Sequence, residues 1–409
     1  MNQSMRVAVI GGGAAGMAAA LAAASCGDRV TVLERLDRVG KKLLSTGNGR
    51  CNLMNTDGLR YPGGSKLARA VLERCGAEQQ TVFWRALGLE LRQEGEGRVY
   101  PLSGQASTVL DVLRYQLQRL RVRTVTEAQV KALVPSGAEW IVRSAAGEER
   151  FDRVIVTGGG RAQPKLGSDG SAYELLTALG HHLIQPRPAL TQLETEPEPI
   201  RGLSGIRLRA GVRLLRNGRE LCRERGEVLF TEYGLSGICV MQCSRWAEPG
   251  CEAVLNLLEP IGLENAEDAL RELQRRQHVW RGGEAEQLLC GLVVSRLGQR
   301  VFRLAGVPSH ERRVEDLSGQ DLQALAETLT AYRIRVTGIR GFESAQVTAG
   351  GIAADEFVPE TMASRIAKGL HAAGEVLDVD GDCGGFNLMF AFGSGILAGL
   401  NGRESNWMR

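Results

Sequence analysis

The 409-residue sequence has nine cysteines but no Cys-x-x-Cys pair, and its net charge is only +3. An odd number of cysteines without such a pair indicates reduced thiols and argues against a disulfide framework or a zinc site. A charge this small and dispersed does not point to nucleic acid. Four glycines break the N-terminal apolar stretch, so we expect neither a signal peptide nor a membrane span. These absences favour a cytoplasmic protein without a nucleic-acid or membrane partner.

The chain also lacks an internal repeat, a low-complexity tract and a Ser/His/Asp set that would indicate a hydrolase. The segment Asp378–Asp382 is only superficially similar to a calcium loop, because the rest of that twelve-residue pattern is missing. His181 and His182 follow a predicted helix with no array of Cys or Asp around them, so we interpret them as surface or core histidines. We therefore expect no bound metal.

What the sequence does contain is a dinucleotide-binding fingerprint in its full context. Residues 5–10 predict a short apolar strand, which runs into Gly11, Gly13 and Gly16 and then into an Ala-rich helix. A second strand ends on Glu34, 23 positions after Gly11. The glycines allow a tight turn, a close approach of pyrophosphate and close helix packing, and the acid can accept hydrogen bonds from ribose. The pattern predicts a nucleotide site at the N-terminus of the first helix.

Two later segments return the chain to this site. A buried strand over residues 152–157 runs directly into Gly158, as a parallel strand does when its carboxyl end meets the nucleotide. Near the C-terminus Glu375 ends another apolar stretch, and Gly384 and Gly385 precede a terminal helix. The N-terminus of that helix would favour negative charge on a bound group.

The length of the chain indicates two or three domains. We predict a discontinuous nucleotide-binding domain of residues 1–187 and 336–409, because the glycine-rich pattern resumes near the C-terminus. Alternating strands predict a β-rich insert over residues 188–260, and charged helical patterns predict a helical subdomain over residues 261–335. Within the first domain a single amphipathic helix is expected near Lys66–Leu87.

Three segments together carry a resemblance to a known family: Gly40–Asn52, with its Thr-Gly-Asn-Gly-Arg-Cys-Asn run, Gly226–Gly237 and Gly369–Leu388. Through them the chain resembles, over nearly its full length, the BaiN-like flavoproteins, also described as the aminoacetone-oxidase-like family of NAD(P)/FAD-dependent oxidoreductases. The resemblance implies FAD as the bound nucleotide. It also implies an α/β fold, in which a glutathione-reductase-like Rossmann FAD-binding domain carries an inserted β-barrel-like domain and a helical subdomain.

The sequence departs from the family pattern in the terminal helix. Met389 stands where many relatives have Gln, and Phe390 and Phe392 replace other aromatic residues. We expect these departures to alter the substrate-facing shape rather than the cofactor site. Tyr100 and Tyr233 are expected either to line a substrate pocket or to be buried with satisfied hydroxyls.

The fingerprint and the resemblance together assign one set of residues to the cofactor. The expected FAD-binding residues are Gly11, Gly13, Ala14, Ala15, Gly16, Glu34, Arg35, Lys42, Leu43, Thr46, Gly47, Asn48, Gly49, Arg50, Cys51, Asn52, Thr157, Gly158, Gly159, Gly374, Glu375, Asp382, Gly384, Gly385, Phe386, Asn387 and Leu388. Arg50 is expected either to pair with pyrophosphate or to fix its loop. Cys51 has no partner cysteine, so packing is favoured over redox chemistry. The sequence assigns no catalytic residue.

The function predicted from these features is an FAD-dependent oxidoreductase that reduces a small organic acceptor, with an activated C=C bond as the leading candidate. NAD(P)H is the expected electron donor and would bind transiently, because a second dinucleotide fingerprint is absent. One alternative is a flavin-dependent amine-type oxidase that uses O2. A tRNA-modifying flavoprotein and a non-catalytic flavin-binding module stay open as further alternatives.

Overall fold

The structure, a computed structural model, describes residues 4–404. The chain divides into two compact units, the first formed by the residues up to 188 and from 345 onward, the second by residues 189–344. Up to residue 189 the elements are β1 (Arg6–Ile10), α1 (Ala14–Ser25), β2 (Arg29–Leu33), β3 (Met54–Asn55), α2 (Ser65–Arg74), α3 (Ala77–Ala86), β4 (Leu91–Gln93), β5 (Arg98–Pro101), α4 (Ala106–Arg119), β6 (Arg123–Val125), β7 (Val130–Ser136), β8 (Glu139–Ser144), β9 (Gly147–Phe151), β10 (Arg153–Val156), α5 (Ser171–Thr177) and β11 (Leu183–Ala189).

The second unit follows in the chain, and the first unit then resumes. The elements of the second unit are β12 (Leu193–Thr195), α6 (Pro197–Ile200), β13 (Arg207–Arg216), β14 (Arg219–Phe230), β15 (Gly234–Ser236), α7 (Ile238–Cys243), β16 (Glu252–Asn256), α8 (Ala266–Val279), α9 (Ser295–Leu304), α10 (Gly319–Thr330) and β17 (Tyr332–Ile339). The remaining elements are β18 (Val347–Ile352), β19 (Phe357–Val358), β20 (Ala363–Ser364), β21 (Leu370–Ala372) and α11 (Phe386–Leu400).

A seven-stranded sheet organises the first unit, in the order β19-β20-β21-β10-β1-β2-β6. The five strands from β21 to β6 are parallel, and β19 and β20 form an antiparallel edge. Val7 and Val9 of β1 are fully buried, as expected for the central strand of a parallel sheet that is covered on both faces. The carboxyl ends of β1, β2, β10 and β21 therefore meet along one edge, which is where a doubly wound sheet binds ligands.

Helices α1 and α11 bring the two ends of the chain together. Their sequences are rich in Ala and Gly, which lets the backbones approach closely. A Cβ placed on Gly395 would lie 2.4 Å from the carbonyl oxygen of Ala15, and one on Gly399 would lie 2.3 Å from that of Ala19. Any larger residue at these two positions would force the helices apart.

A buried ion cluster fixes the end of α11. Arg153 is 1% exposed and donates to the carbonyl oxygens of Ala398 and Gly399, at 3.0 and 2.9 Å. Asp28 accepts from Arg153 at 3.2 Å and also pairs with Arg403. The guanidinium thus satisfies carbonyls that the last helical turn leaves free. Burial lowers the pKa of Arg153 to about 10, so Asp28 offsets part of the cost of burying this charge.

The single helix predicted near Lys66–Leu87 is wrong. The structure has two helices, α2 and α3, separated at Cys75 and Gly76. Gly76 is the extended residue that precedes α3, and a Cβ there would lie 2.5 Å from the carbonyl oxygen of Leu72. The amphipathic pattern continues through this break, because both helices bury the same kind of apolar face, so the periodicity concealed it.

The second unit contains a closed six-stranded barrel in the order β12-β15-β14-β13-β16-β17, with β12 pairing β17 to complete the ring. Helices α8, α9 and α10 lie between β16 and β17 in the chain. Residues 336–344, which we had expected in the nucleotide-binding domain, lie with the second unit, because β17 is needed to close the barrel. Tyr332 starts this strand with a fully buried ring and a hydroxyl that donates to Pro199 O at 2.6 Å.

A buried histidine in β21 generates a prediction about acid stability. His371 is 3% exposed, and its Nδ1 lies 2.9 Å from the carbonyl oxygen of Thr361, so this nitrogen carries the proton. Burial lowers the pKa of His371 to about 3. In the unfolded chain this histidine binds a proton near pH 6.5, whereas in the folded chain it stays neutral at that pH. The free energy of unfolding therefore falls as the pH drops below that value. The expected loss is about 1.4 kcal/mol per pH unit between roughly pH 6 and pH 4.

His371→Asn keeps a donor to Thr361 but cannot titrate. The difference in free energy of unfolding between this variant and the wild type, measured with urea from pH 7 to pH 4.5, should shift in favour of the variant as the pH falls. If the free energies of unfolding of the two proteins changed in parallel with pH, His371 would not have the lowered pKa that we assign to it.

Candidate functional site

The first glycine turn lies between β1 and α1 and is held by direct backbone contact. Gly11 adopts a left-handed conformation, with φ of +103°, and a Cβ on Gly16 would lie 1.9 Å from the carbonyl oxygen of Gly11. Gly13 differs from both, because its backbone is extended and a Cβ there would meet no atom of the chain within 4 Å. Gly13 precedes the first residue of α1, whose N-terminus has no side-chain cap. The turn therefore presents helix N–H groups to open space, as a pyrophosphate requires.

Glu34 closes the other side of this turn. Its carboxylate is buried and accepts hydrogen bonds from the backbone N–H groups of Gly12, at 2.7 Å, and Leu36, at 2.9 Å. Each carboxylate oxygen keeps a second acceptor position, so Glu34 can still receive ribose hydroxyls. The neighbouring Arg35 instead holds the 164–169 loop, pairing with Asp169 and donating to the carbonyl oxygen of Gly167 at 3.2 Å.

The second glycine turn packs directly on the first. Thr157 Oγ1 lies 3.0 Å from Ile10 O and 2.8 Å from Gly11 O, and a Cβ on Gly11 would lie 2.8 Å from Thr157 O. A Cβ on Gly158 would lie 2.6 Å from Ala172. Close packing within the chain is thus sufficient reason for a glycine at position 158.

Glu375 joins three separate segments. Its Oε2 pairs with Lys42 Nζ at 2.7 Å, and its Oε1 accepts from the N–H and Oγ1 of Thr348, both at 3.0 Å. Thr348 Oγ1 in turn accepts from Arg161 N at 2.8 Å. Lys42 and Glu375 are 22% and 20% exposed, so the pair is accessible from one side. This network connects the 40–55 loop to β18 and to the carboxyl end of β21.

The 40–55 loop contains tight turns, with Gly47 and Asn48 in left-handed conformations. Arg50 pairs with Glu94 at 2.5 Å and lies 4.2 Å over the ring of Tyr100. Of the two roles expected for Arg50, the structure therefore supports fixing the loop. Tyr100 is buried beneath this guanidinium, whereas Tyr233 belongs to the second unit and is 38% exposed.

Cys51 is fully buried in a left-handed backbone conformation, with φ of +58°. Burial raises the pKa of its thiol to about 12. A thiol with such a pKa has almost no thiolate at neutral pH, and the thiolate is the reactive form.

The start of α11 lies against the end of the same loop. Gly384 and Gly385 have φ of +124° and +103°, and a Cβ on Gly385 would lie 2.7 Å from Asn52 Oδ1. Asn55 Nδ2 donates to Gly384 O at 2.8 Å. Asn52 Oδ1 is buried and has no hydrogen-bond partner within residues 4–404. An orphaned acceptor beside an uncapped helix N-terminus is what a bound donor group would satisfy.

Several side chains of α11 are engaged within the protein itself. The amide of Asn387 is committed to the preceding loop, since it binds the N–H and carbonyl of Gly381, each at 2.8 Å. Met389, Phe390 and Phe392 do not shape a substrate-facing surface, because all three side chains are buried in the core of the first unit. Phe392 packs edge-on against Trp84 with ring centroids 4.7 Å apart. An apolar helix buried all round gives no sequence signal for which positions face a ligand.

The structure also brings together a Ser, a His and a Glu that the sequence did not reveal. Ser364 Oγ lies 2.9 Å from His181 Nε2, and His181 Nδ1 lies 2.6 Å from Glu356. The Ser364 oxygen already accepts from the N–H groups of Ile366 and Ala367, at 3.0 and 2.8 Å. Both lone pairs of this oxygen are therefore occupied. The hydroxyl stabilises the turn at residues 364–367 and is not free to act as a nucleophile. His181 is more than 170 residues away from Glu356 and Ser364 in the chain, so no local sequence motif indicates this set.

Two further findings concern the described part of the chain. Residues 4–404 contain no group of three or more His, Cys, Asp or Glu side chains placed to hold a metal ion. None of the helices within those residues is long and apolar enough to cross a membrane.

The parallel sheet with its two facing glycine turns and the closed six-stranded barrel define the class: a Rossmann-type FAD-binding fold. The chain belongs to the HI0933-like family, since the profile of the HI0933-like protein Rossmann domain matches residues 5–401. This result and the relatives that follow confirm the resemblance found in the sequence.

One similar protein is a 3-dehydro-bile acid delta(4,6)-reductase of Clostridium scindens, 38% identical over 98% of this chain and 99% of the relative. A ribosomal RNA dihydrouridine synthase of Escherichia coli is 26% identical over 94% of this chain and 95% of the relative. Among solved structures, the open conformation of a flavocytochrome c3 fumarate reductase matches with a TM-score of 0.50 and 18% identity, covering 98% of this chain and 78% of that one. At that identity the structural match shows the fold alone.

The burial of Cys51 leads to a test of its chemistry. At pH 8 iodoacetamide should alkylate the exposed Cys290 and leave Cys51 unmodified, because a thiol with a pKa of about 12 is about one part in ten thousand thiolate. Peptide mass spectrometry of the native protein measures both. Cys51→Ala should keep turnover within about tenfold of wild type. If Cys51 were alkylated as fast as Cys290, the thiol would be reactive. A fall in turnover of several orders of magnitude in a folded Cys51→Ala protein would show that the thiol takes part in the chemistry.

Proposed function

We propose that this protein is an FAD-dependent oxidoreductase that uses NAD(P)H to reduce a C=C bond conjugated to a carbonyl group. The observation that carries the cofactor assignment is the first glycine turn, where Gly13 alone opens onto free space at an uncapped helix N-terminus. A turn built only for packing would enclose Gly13 as it encloses Gly11, Gly12 and Gly16.

The residues present fit FAD. The N-terminus of α1 at Gly13 would hold the pyrophosphate, and Glu34 would accept hydrogen bonds from the adenosine ribose. Glu375 and Lys42 offer an acceptor and a donor for ribityl hydroxyls. The orphaned oxygen of Asn52 and the N-terminus of α11 offer an acceptor and a positive dipole end to the ring system. When bound, the flavin supplies hydride-transfer chemistry.

The reaction class is supported by what the named relatives have in common. A delta(4,6)-reductase and a dihydrouridine synthase act on very different molecules, a steroid acid and an RNA base. Both names nevertheless describe saturation of a ring C=C bond, and in a 3-keto steroid and in uracil that bond is conjugated to a carbonyl. Such a bond accepts hydride at one carbon and a proton at the next. The chain must therefore position an acceptor ring and favour the negative charge that develops on its carbonyl oxygen.

Gly13 provides a test of the cofactor site that separates binding from folding. Gly13→Val should raise the Kd for FAD, titrated into the cofactor-free protein, at least tenfold, about 1.4 kcal/mol of binding free energy, because the side chain would occupy the space of the pyrophosphate. Its urea midpoint without cofactor should match that of wild type, since no protein atom lies near the new side chain.

Gly95→Val is the matched control, because a Cβ on Gly95 also meets no atom within 4 Å and this loop glycine lies outside the predicted site. It should keep full flavin content. Gly16→Ala should instead lose stability itself, through the clash with the Gly11 carbonyl oxygen. Full FAD occupancy in the Gly13→Val variant would show that the cofactor binds elsewhere in the protein.

Electron flow distinguishes the proposed reductase from an amine-type oxidase. Under anaerobic conditions NADH or NADPH should bleach the bound flavin at a rate that saturates with nucleotide concentration. A cyclic enone should then restore the colour faster than air does. If amines bleached the flavin and neither nucleotide did, and if peroxide formed promptly in air, the protein would be an amine-type oxidase and not the proposed reductase.

A further inference from the structure

Two cysteine thiols of the second unit lie in contact with each other. Cys243, the last residue of α7, places its Sγ 3.1 Å from the Sγ of Cys222 in β14, although the two residues are 21 positions apart in the chain. Both are free thiols in the structure. A disulfide joins its sulfurs at about 2.05 Å, so the bond requires the two sulfurs to approach by about 1 Å. The fold therefore brings together a pair of thiols that no Cys-x-x-Cys spacing marks in the sequence.

The strand and the helix each direct their cysteine toward the barrel core. Cys222 alternates along β14 in step with Phe230, whose ring is fully buried in that core, so both side chains point to the inner face of the strand. Cys239 and Cys243 are four residues apart, which places them on one face of α7. The thiol of Cys239 donates to the carbonyl oxygen of Glu227 at 3.2 Å. The same face of α7 is thus held against β14 at Glu227 and at Cys222.

The two thiols differ in their access to solvent. Cys222 is partly exposed, whereas Cys243 is fully buried. The hydrogen bond with Cys222, together with burial, raises the pKa of the Cys243 thiol. Because the thiolate is the reactive form, Cys243 resists direct attack on a small oxidant. An oxidant that arrives from solution therefore meets Cys222 first, with Cys243 placed directly behind it.

We propose that Cys222 and Cys243 form a modification site for hydrogen peroxide, at which the two thiols are oxidised to a reversible disulfide. The Cys222 sulfur attacks the peroxide, the O–O bond breaks, and Cys222 becomes a sulfenic acid with release of one water. The Cys243 sulfur then attacks the Cys222 sulfur. The S–O bond breaks, and the hydroxyl leaves as a second water with the proton of Cys243. In total the two thiols lose two electrons, and the peroxide is reduced to two waters.

The disulfide would tie α7 to β14 and close a loop that contains the segment Gly226–Gly237. Closing this loop removes conformations from the unfolded chain, so the oxidised second unit should be more stable than the reduced one. Both cysteines belong to the second unit. The modification therefore depends neither on the cofactor nor on the proposed reduction reaction.

The test exposes the native protein to hydrogen peroxide without NAD(P)H, removes the peroxide with catalase and blocks the remaining thiols with iodoacetamide. Trypsin cleaves after Arg223 and Arg225, so Cys222 and Cys243 lie on separate peptides that only a disulfide joins. Mass spectrometry should find these two peptides linked, and fragmentation should place the bond on Cys243 rather than Cys239. The Tm of the oxidised protein should rise by roughly 5 °C or more and return to its initial value with dithiothreitol.

Two serine variants separate the roles of the thiols. In Cys243→Ser the sulfenic acid of Cys222 should accumulate, and dimedone should trap about tenfold more of it than in wild type, where the neighbouring thiol reacts within the molecule. Cys239→Ser is the matched control, because it changes the same face of α7 and its hydroxyl can still donate to Glu227. This control should form the disulfide as wild type does.

The proposal is wrong if Cys222 of the wild-type protein is oxidised to a sulfinic acid while Cys243 keeps its thiol, or if Cys222 pairs with Cys239. A disulfide that forms only after unfolding in urea, or one that leaves the Tm unchanged, would also refute it. If NAD(P)H fails to bleach the flavin while the disulfide still forms, the proposed reaction fails and the modification site stands.

Discussion

The first unit depends on a contact between two backbones that only glycine permits. Gly16 at the start of α1 touches the carbonyl of Gly11, which in turn lies against Thr157 at the end of β10. This contact sets how closely α1 can approach the sheet, and hence where its N-terminal N–H groups point. The glycines of α11 then bring the C-terminal helix against the same α1. A chain with larger residues at these points would keep its sheet but lose the place where the helix end meets the strand ends.

Around this contact the polar groups of the site bind one another. Glu34 holds the first turn, Glu375 binds Lys42 and Thr348, and Asn55 holds the start of α11. Because these groups are satisfied within the chain, the site is largely formed by protein interactions alone. A bound cofactor would use the remaining acceptor positions of the carboxylates and the buried oxygen of Asn52, which has no hydrogen-bond partner within residues 4–404. Preorganisation of this kind lowers the cost of ordering side chains upon binding.

The second unit has its own hydrophobic core, and its barrel is closed without strands from the first. Closure removes exposed strand edges, so the long β13–β14 hairpin can present charge on its outer face without inviting pairing with another chain. The Asn217-Gly218 turn, with φ of +51° and +77°, suits the twist of such a hairpin. The inward side chains of this barrel therefore form the hydrophobic core of the second unit.

The sequence by itself determined the nucleotide-binding fold and the family. It also placed the strands that end next to Gly11, at Glu34 and next to Gly158. These features are local, since each is a strand, a turn or a helix start encoded by adjacent residues. Only the tertiary structure decided which side chains meet: that Arg50 turns to Glu94, that Asn387 clamps its own loop, that Phe392 packs in the core and that Ser364 lies on His181. It also decided that β17 closes the barrel by pairing with β12. Such contacts join residues far apart in the chain, and their geometry follows from packing, which no pattern of neighbouring residues specifies.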